Sequence, residues 1–425
     1  MEKSTPLLRQ RRFLPLFVTQ FLGAFNDNLF RTAMVMLAIY ALYRDDPAKG
    51  ALFSSIAPAV FITPFFILSA VAGQLADSHD KALIVRWVKT VEIGIMIFGA
   101  AGLLLQNIYL LFAALFAMGV HSTFFGPIKY AILPQHLGEK DVLAGTGLVE
   151  AGTYVAILLG TIFGGILPVQ WAAAGVLLVA LIGRASGGMV PDAPPSAEGA
   201  RLKVDWNIFR ASWQLTRQVM HIRRVMLAIL CISFFWSIGA LLAAQFPPLV
   251  KNSFGGDENV ATLFLAIFSV GIATGSVVVN RLLKGKVSAR YSPMSAIGMG
   301  IFVLLLWFAV WQWGIPPAGR LMGIGEFVTY PLADLVLVAL FGIAVFGGMF
   351  VVPLYAFLTV TVERSATART IAVNNIVNSG FMVAATLILS ALLAFGATVA
   401  GTLLYVSAAC VVAAFIAQKL HLAAD

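Results

Sequence analysis

Long apolar runs separated by short polar segments account for most of the chain. Runs of spanning length lie at about 13–42, 52–75, 82–105, 108–132, 145–168, 170–191, 224–250, 259–283, 293–315, 332–360, 368–394 and 397–420. A helix needs about 20 apolar residues to cross the hydrocarbon core, so the pattern predicts an all-α membrane protein with twelve transmembrane helices, spans 1 to 12 in chain order. The basic stretch Met1 to Arg12 leads into about thirty mostly apolar residues, too long for a signal-peptide core and without a small-residue cleavage site. Span 1 is therefore expected to be retained.

Composition agrees with the pattern. The chain has 425 residues, 60% hydrophobic and 11% charged, with a mean hydropathy of +0.92. Soluble domains carry about 25% charged residues, so a water-soluble enzyme is excluded, together with collagen-like, disulfide-scaffold and disordered classes. Cys231 and Cys410 lie in apolar stretches without metal-ligand or redox spacing and read as small hydrophobic fillers, so neither cofactor nor metal is expected.

The net charge of +9 resolves once the basic residues are located. With the N-terminus in the cytoplasm, 22 of the 28 Lys and Arg residues fall on that side, and only Arg44, Lys49, Lys251 and Arg320 on the other. Arg31 and Lys89 remain inside spans. Cytoplasmic loops retain positive charge, so both termini are predicted to be cytoplasmic. The balance marks topology, and no nucleic-acid partner is expected.

The longest polar segment sits between spans 6 and 7. It divides the chain into an N-terminal six-helix bundle (1–190), a cytoplasmic linker (191–223) and a C-terminal six-helix bundle (224–425). In the linker Trp206, Phe209, Trp213 and Met220 fall near one helical face, with Arg210, Arg217, Arg223 and Arg224 available to anionic headgroups. That pattern predicts a helix lying in the membrane interface. Trp307, Trp311 and Trp313 at the outer end of span 9 fit an interfacial aromatic belt. The halves are weakly alike: Pro127 and Pro353 are 226 positions apart, Glu150 and Asn375 are 225 apart, as a 6+6 transporter repeat would give.

Ionisable groups within a bilayer are costly, and they are paired, exposed to an aqueous cavity, or functional. Span 1 carries Gln20, Asn26, Asp27, Asn28 and Arg31, and the spacing of Gln20, Asp27 and Arg31 places them on one stripe. A self-neutralising Asp27–Arg31 pair is the plain reading; the flanking amides favour a cavity lining. Lys89 and Glu92 in span 3 fit a structural ion pair as well as a substrate contact. Span 4 ends in Gly126-Pro127-Ile128-Lys129-Tyr130, where Pro127 disturbs the backbone and Lys129 reaches either the cavity or the surface. Glu150 in span 5 lies among Gly145, Gly147 and Gly152, a small-residue packing face, and is a candidate partner for Lys129. Span 7 offers Gln245 before Pro247 and Pro248; span 11 offers Asn374, Asn375 and Asn378, which fit helix ties or substrate contacts equally.

Two loops carry patterns. The turn Gly73-Gln74-Leu75-Ala76-Asp77-Ser78-His79-Asp80-Lys81 places an acid at a helix end before a basic residue, which can brace helices in one conformation and release in another. Gly73, Asp77 and Lys81 are the candidate conformational gate. His136 and Asp141 match a histidine–four residues–aspartate acyltransferase pattern, but they sit in a short loop with no soluble domain to hold an acyl donor. His121 reads as a packed polar residue.

The stretch 20–31 (Gln-Phe-Leu-Gly-Ala-Phe-Asn-Asp-Asn-Leu-Phe-Arg), the 73–81 turn and Phe-Gly-Pro-Ile-Lys-Tyr-Ala-Ile-Leu-Pro-Gln-His at 125–136 together resemble the lysophospholipid transporter family of the major facilitator superfamily. Asp80 stands where the superfamily's first loop motif usually has glycine. The resemblance implies two six-helix bundles in the major facilitator fold and inward movement of lysophospholipids across a Gram-negative inner membrane for reacylation. It implies Asp27 as a functional acid and Lys129 as a headgroup contact. The segment Gly239 to Gln245 lacks the span-7 charge of stand-alone members. In that respect the chain is similar to the transporter portion of proteins fused to acyltransferase and acyl-carrier synthetase domains. The expected assembly is a monomer among membrane lipids, with a lysophospholipid substrate and an acyltransferase or acyl-carrier synthetase partner. An exporter of drugs or other amphiphiles using Asp27 or Glu150 as a proton site is the competing transporter reading.

Overall fold

The computed structural model describes residues 6–43, 47–314 and 320–424. Lys3, Arg44 and the end of span 9 at 315 lie outside them, as do the side chains of Lys49, Pro247 and Pro248. Thirteen helices of ten or more residues appear among the described residues: α1 Leu14–Leu37, α2 Pro47–Ser78, α3 Lys81–Leu104, α4 Ile108–Ala131, α5 Glu139–Ile166, α6 Val169–Gly188, α7 Ile208–Met220, α8 Arg223–Leu249, α9 Glu258–Leu283, α10 Ser292–Gln312, α11 Ala333–Thr361, α12 Thr367–Ala394 and α13 Val399–Ala424. Eleven are long and apolar enough to cross a membrane. The twelfth span is α1, 24 residues long, whose Gln20, Asn26, Asp27, Asn28 and Arg31 lower its hydropathy. The remaining helix, α7, is the amphipathic linker segment.

Span 5 starts earlier than its apolar run indicates. A single turn, Leu133–His136, follows α4, and α5 begins at Glu139, so His136 and Asp141 lie within nearly continuous helix. Pro127 leaves α4 unbroken through Ala131, as Pro353 does within α11. α1 and α8 each run into a five-residue π turn, Ala38–Leu42 and Val250–Phe254. Such turns are rare, and their equivalent places strengthen the resemblance of the halves.

α3 presents apolar side chains outward and its charged pair inward. On α3 Trp87, Val91 and Phe98 are exposed, whereas Lys89, Glu92, Met96 and Leu103 are buried; the apolar stripe faces lipid and the charge faces inward.

One compact unit comprises Met1–Gly145, Gly152–His221 and Leu358–Ile376. In it α1 packs on α6, α2 on α4, and α3 on both α4 and α6, while α7 lies against α2. Leu29, Phe30, Met34, Met96, Leu103 and Leu115 form part of its core. Lipid tails provide no hydrophobic drive for helices to associate, so close approach through small residues matters. α5 meets α1 in this way: a side chain at Gly160 would strike the Phe25 carbonyl, and one at Gly164 the Leu29 carbonyl. This unit keeps the linker up to His221 and also takes Leu358–Ile376, which the six-plus-six division assigns to the C-terminal bundle.

The other unit comprises Thr146–Ala151, Ile222–Phe357 and Val377–Asp425. Here α13 packs on α8 and α10, and Phe246, Phe254, Phe264, Trp313 and Phe327 share a buried cluster. Trp307 and Trp311 stack in parallel at 6.2 Å, with Trp311 well exposed, as a belt requires. Trp313 departs from that expectation. It is buried, donates its indole N–H to the Phe254 carbonyl at 3.2 Å and stacks on Tyr330, because the buried carbonyl satisfies the ring's one polar atom.

Candidate functional site

The densest polar cluster lies inside the first unit, among α1, α3, α4 and α6. Lys89 Nζ sits 2.6 Å from Glu92 Oε2, with both side chains almost wholly buried. His121 Nε2 approaches the same carboxylate oxygen at 3.3 Å. Asn26 Nδ2 donates to Glu92 Oε1 at 3.0 Å and lies 3.2 Å from the Val176 carbonyl. Glycines make room for the long lysine: a Cβ built on Gly23 would lie 3.0 Å from Lys89 Nζ, and one on Gly187 3.3 Å from its Cγ. The ammonium also lies 5.6 Å from the Phe125 ring centroid. Side chains of α1, α3 and α4, with the Val176 carbonyl and Gly187 of α6, therefore form one charge-compensated knot.

Successive positions of α1 point about 100° apart, so Asn26, Asp27 and Asn28 serve different neighbours. Asn26 enters the knot. Asp27 is half-buried and accepts from Ser122 Oγ of α4 at 2.8 Å. Asn28 is buried, bonds back to the Ala24 carbonyl, and accepts from Arg31 Nη2 at 2.5 Å, with Arg31 half-buried. About two turns toward the N-terminus, buried Gln20 accepts from Thr153 Oγ1 at 3.0 Å. Asp27 and Arg31 form no ion pair with each other among the described residues; each charge has its own polar neighbour. Ser122 and His121 join the site although their sequence positions carry no motif.

Further along α4, Lys129 is half-buried and its Nζ lies 4.8 Å from the Tyr130 ring centroid, with Tyr130 itself buried. Asn375 Nδ2 lies within 3.2 Å of where a Cβ on Gly126 would stand, which brings α12 against α4 in the first unit. Asn374 is fully buried.

The 73–81 segment, which is the end of α2, a two-residue break and the first residue of α3 rather than one extended turn, forms a latch. Asp77 accepts from the backbone N–H groups of Ala368 and Arg369, both at 3.0 Å, and from Arg369 Nε at 3.1 Å. The carboxylate thereby caps the first turn of α12 and pairs with its guanidinium, a charge-assisted arrangement. Gly73 lets the two helices touch: a Cβ there would stand 2.6 Å from Ala372 Cβ. The cation against Asp77 is Arg369; Lys81 is buried at the start of α3, where its N–H donates to the Ala193 carbonyl. Asp80 accepts from Ala82 N and Ala193 N at 2.8 and 3.1 Å, so it caps α3 and ties down the linker. The linker also reaches α2 through Asp205 N, which donates to Gln74 Oε1 at 2.7 Å.

Three candidates belong to the second unit. Gln245 accepts from Thr402 at 2.7 Å, Asn378 accepts from Ser233 at 2.7 Å, and Glu150 is fully buried. Gln245 ties α8 to α13 and Asn378 ties α12 to α8.

His136 is committed elsewhere than to catalysis. It is buried, and its ring nitrogens lie 3.1 Å from the Arg12 carbonyl and 3.4 Å from the Asp192 carbonyl. The imidazole pins the N-terminal segment and the linker to the end of the hairpin between α4 and α5.

A family model described as Major Facilitator Superfamily matches residues 16–386, and the chain belongs to that superfamily. It is a multi-pass membrane transporter of a bacterial inner membrane, not an enzyme. Its relatives include proteins named lysophospholipid transporter LplT. That of Escherichia coli O1:K1 is 28% identical over 371 residues, covering 84% of this chain and 83% of the relative. That of Cronobacter sakazakii is 26% identical over 380 residues, covering 87% and 85%. Among solved structures, the human organic anion transporter MFSD10 superposes with a TM-score of 0.76 at 13% identity, covering 97% of this chain and all of that one; this likeness concerns the fold.

Proposed function

We propose that the chain moves lysophospholipids across the inner membrane toward the cytoplasmic leaflet, by alternating access, for reacylation by a partner acyltransferase whose acyl donor an acyl-carrier synthetase supplies. The observation that carries this reading is the unequal burial along α1. Asn26 is committed to the internal knot, whereas Asp27 and Arg31 stay partly exposed one turn apart. A lysophospholipid carries a phosphate that Arg31 or Lys129 can meet and, in some headgroups, an ammonium that Asp27 can meet. Its single acyl tail can remain in apolar surroundings, so the costly step is moving the headgroup, which polar side chains at membrane depth ease. The similarity to proteins named lysophospholipid transporter supports the same substrate class.

In this reading Gln20, Asn28, Tyr130, Asn374 and Asn375 shape the surroundings of that path; Glu150, Gln245 and Asn378 are the polar candidates of the second unit. Lys89 and Glu92 act as its buried strut. Gly73, Asp77 and Lys81, with Arg369, form the conformational gate. Reconstitution into proteoliposomes with labelled lysophosphatidylethanolamine tests the proposal: protein-dependent movement supports it, and proton-driven dye export without lysolipid movement supports the exporter. The contact of Asp27 with Ser122, next to His121, is the observation that favours that second reading.

A further inference from the structure

Between positions 201 and 217 the linker carries four basic residues, Arg201, Lys203, Arg210 and Arg217, against one acid, Asp205. α7 turns Ala211, Leu215 and Val219 inward, where they are buried, and it packs on α2. On its opposite side Phe209 and Trp213 are 84% and 73% exposed, and Trp206, just before the helix begins, is 69% exposed. The four-residue spacing of Phe209 and Trp213 puts them on one stripe of α7, with Arg210 and Arg217 beside it.

The position of this stripe is fixed. The Asp205–Gln74 bond holds the start of α7 beside the last turn of α2, where that span leaves the bilayer on the Lys/Arg-rich side. A groove of about 590 Å³ opens beside it, lined by Lys203, Asp205, Trp206, Asn207, Arg210 and Gln214. Arg210 donates to both carboxylate oxygens of Asp205, at 2.7 and 2.8 Å. Asp205 is thereby neutralised within the groove, and Lys203 leaves it net positive.

We infer that this groove and its aromatic stripe bind an anionic glycerophospholipid of the surrounding cytoplasmic leaflet. Lys203, whose charge is the uncompensated one in the groove, meets the phosphate. Trp206, Phe209 and Trp213 sit at the boundary between headgroups and acyl chains, the depth at which amphipathic aromatic rings are stable. Association with an anionic surface strengthens about fivefold for each basic residue brought close to it. The lipid here is a resident of the leaflet, and the inference is independent of which substrate the transporter moves.

The test uses the full chain reconstituted in phosphatidylcholine bilayers containing a minor fraction of brominated lipid, with tryptophan fluorescence as the readout. Brominated phosphatidylglycerol is expected to quench more than brominated phosphatidylcholine at the same fraction. The excess should vanish in Trp206→Phe/Trp213→Phe, weaken about fivefold in apparent affinity in Lys203→Gln, and persist in Lys203→Arg. Lys203 is exposed, so these substitutions leave the packed spans untouched. Equal quenching by the two headgroups, or an excess that Lys203→Gln leaves unchanged, would overturn the inference.

Discussion

Replacing Lys89 by Met removes the ammonium from a pair whose partners are 2.6 Å apart and whose side chains are 0% and 3% exposed. Breaking a buried pair by deleting one member costs about 3–5 kcal/mol, because the other charge is left uncompensated. Glu92 would retain Asn26 and His121, so Lys89→Met belongs near the lower end of that range, about 3 kcal/mol. Glu92→Leu leaves Lys89 with the Phe125 ring, a contact worth about 2 kcal/mol when desolvated, and belongs near the upper end. The double variant holds neither charge and should be markedly less destabilised than the two single losses added together, with a coupling of about 3 kcal/mol. Reversible unfolding in mixed detergent micelles measures all four corners of the cycle. Single variants within about 0.5 kcal/mol of the parent, as surface substitutions usually are, or strictly additive losses would refute the knot. Transport by the same variants separates two roles: a folded, active double variant marks the pair as a strut, and a folded but inactive one marks it as a substrate contact.

Asp77→Asn removes the charge that caps α12 and should weaken the latch by about 1.5–3 kcal/mol, the range for hydrogen bonds to charged groups. Both native cysteines are buried, so the labelling rate of Ala372→Cys, beside Gly73, reports the latch; the rate should rise about tenfold or more with Asp77→Asn, and an unchanged rate contradicts the geometry. Gly160→Leu forces a side chain into the Phe25 carbonyl and should cost at least about 1–3 kcal/mol by overpacking, visible as a lower detergent unfolding midpoint than in Thr161→Leu. At the linker, the Arg210 guanidinium bonded to Asp205 holds its carboxyl down to about 2, below the usual carboxylate range. A depressed folded value means that the contact is fully present above the unfolded value and is lost as pH falls toward 2. Fluorescence assigned to Trp206 by subtraction of Trp206→Phe should therefore hold constant between about pH 8 and pH 5 and change only below that window; a transition inside it would contradict the pair.

The spans were legible because each apolar run is nearly as long as the bilayer is thick. The polar stripe on α1 and the acid at Asp77 were legible because charge at those places is costly without a purpose. Partners were less legible, since they depend on which helices meet. The i+3 spacing allows a Lys89–Glu92 pair, but nothing local marks His121 or Asn26 as its neighbours. Gly23 and Gly187 make space for the lysine from two other helices, and each alone resembles any small residue in a span. Arg369 lies 292 positions from Asp77, so the nearby Lys81 was the natural expectation for its cation. Trp313 was misplaced for a similar reason. Its sequence setting is that of a belt residue, while the Phe254 carbonyl that buries it comes from 59 positions away.

The most direct measurement is the rate of labelled lysophosphatidylethanolamine movement in proteoliposomes, compared among the parent protein, Asp27→Asn and Arg31→Gln. Protein-dependent movement that falls at least about tenfold in each variant, equivalent to about 1.4 kcal/mol of lost stabilisation, is the predicted result. Movement unchanged in both variants would remove Asp27 and Arg31 from the transport path. No protein-dependent lysolipid movement by a folded parent would contradict the proposed function itself.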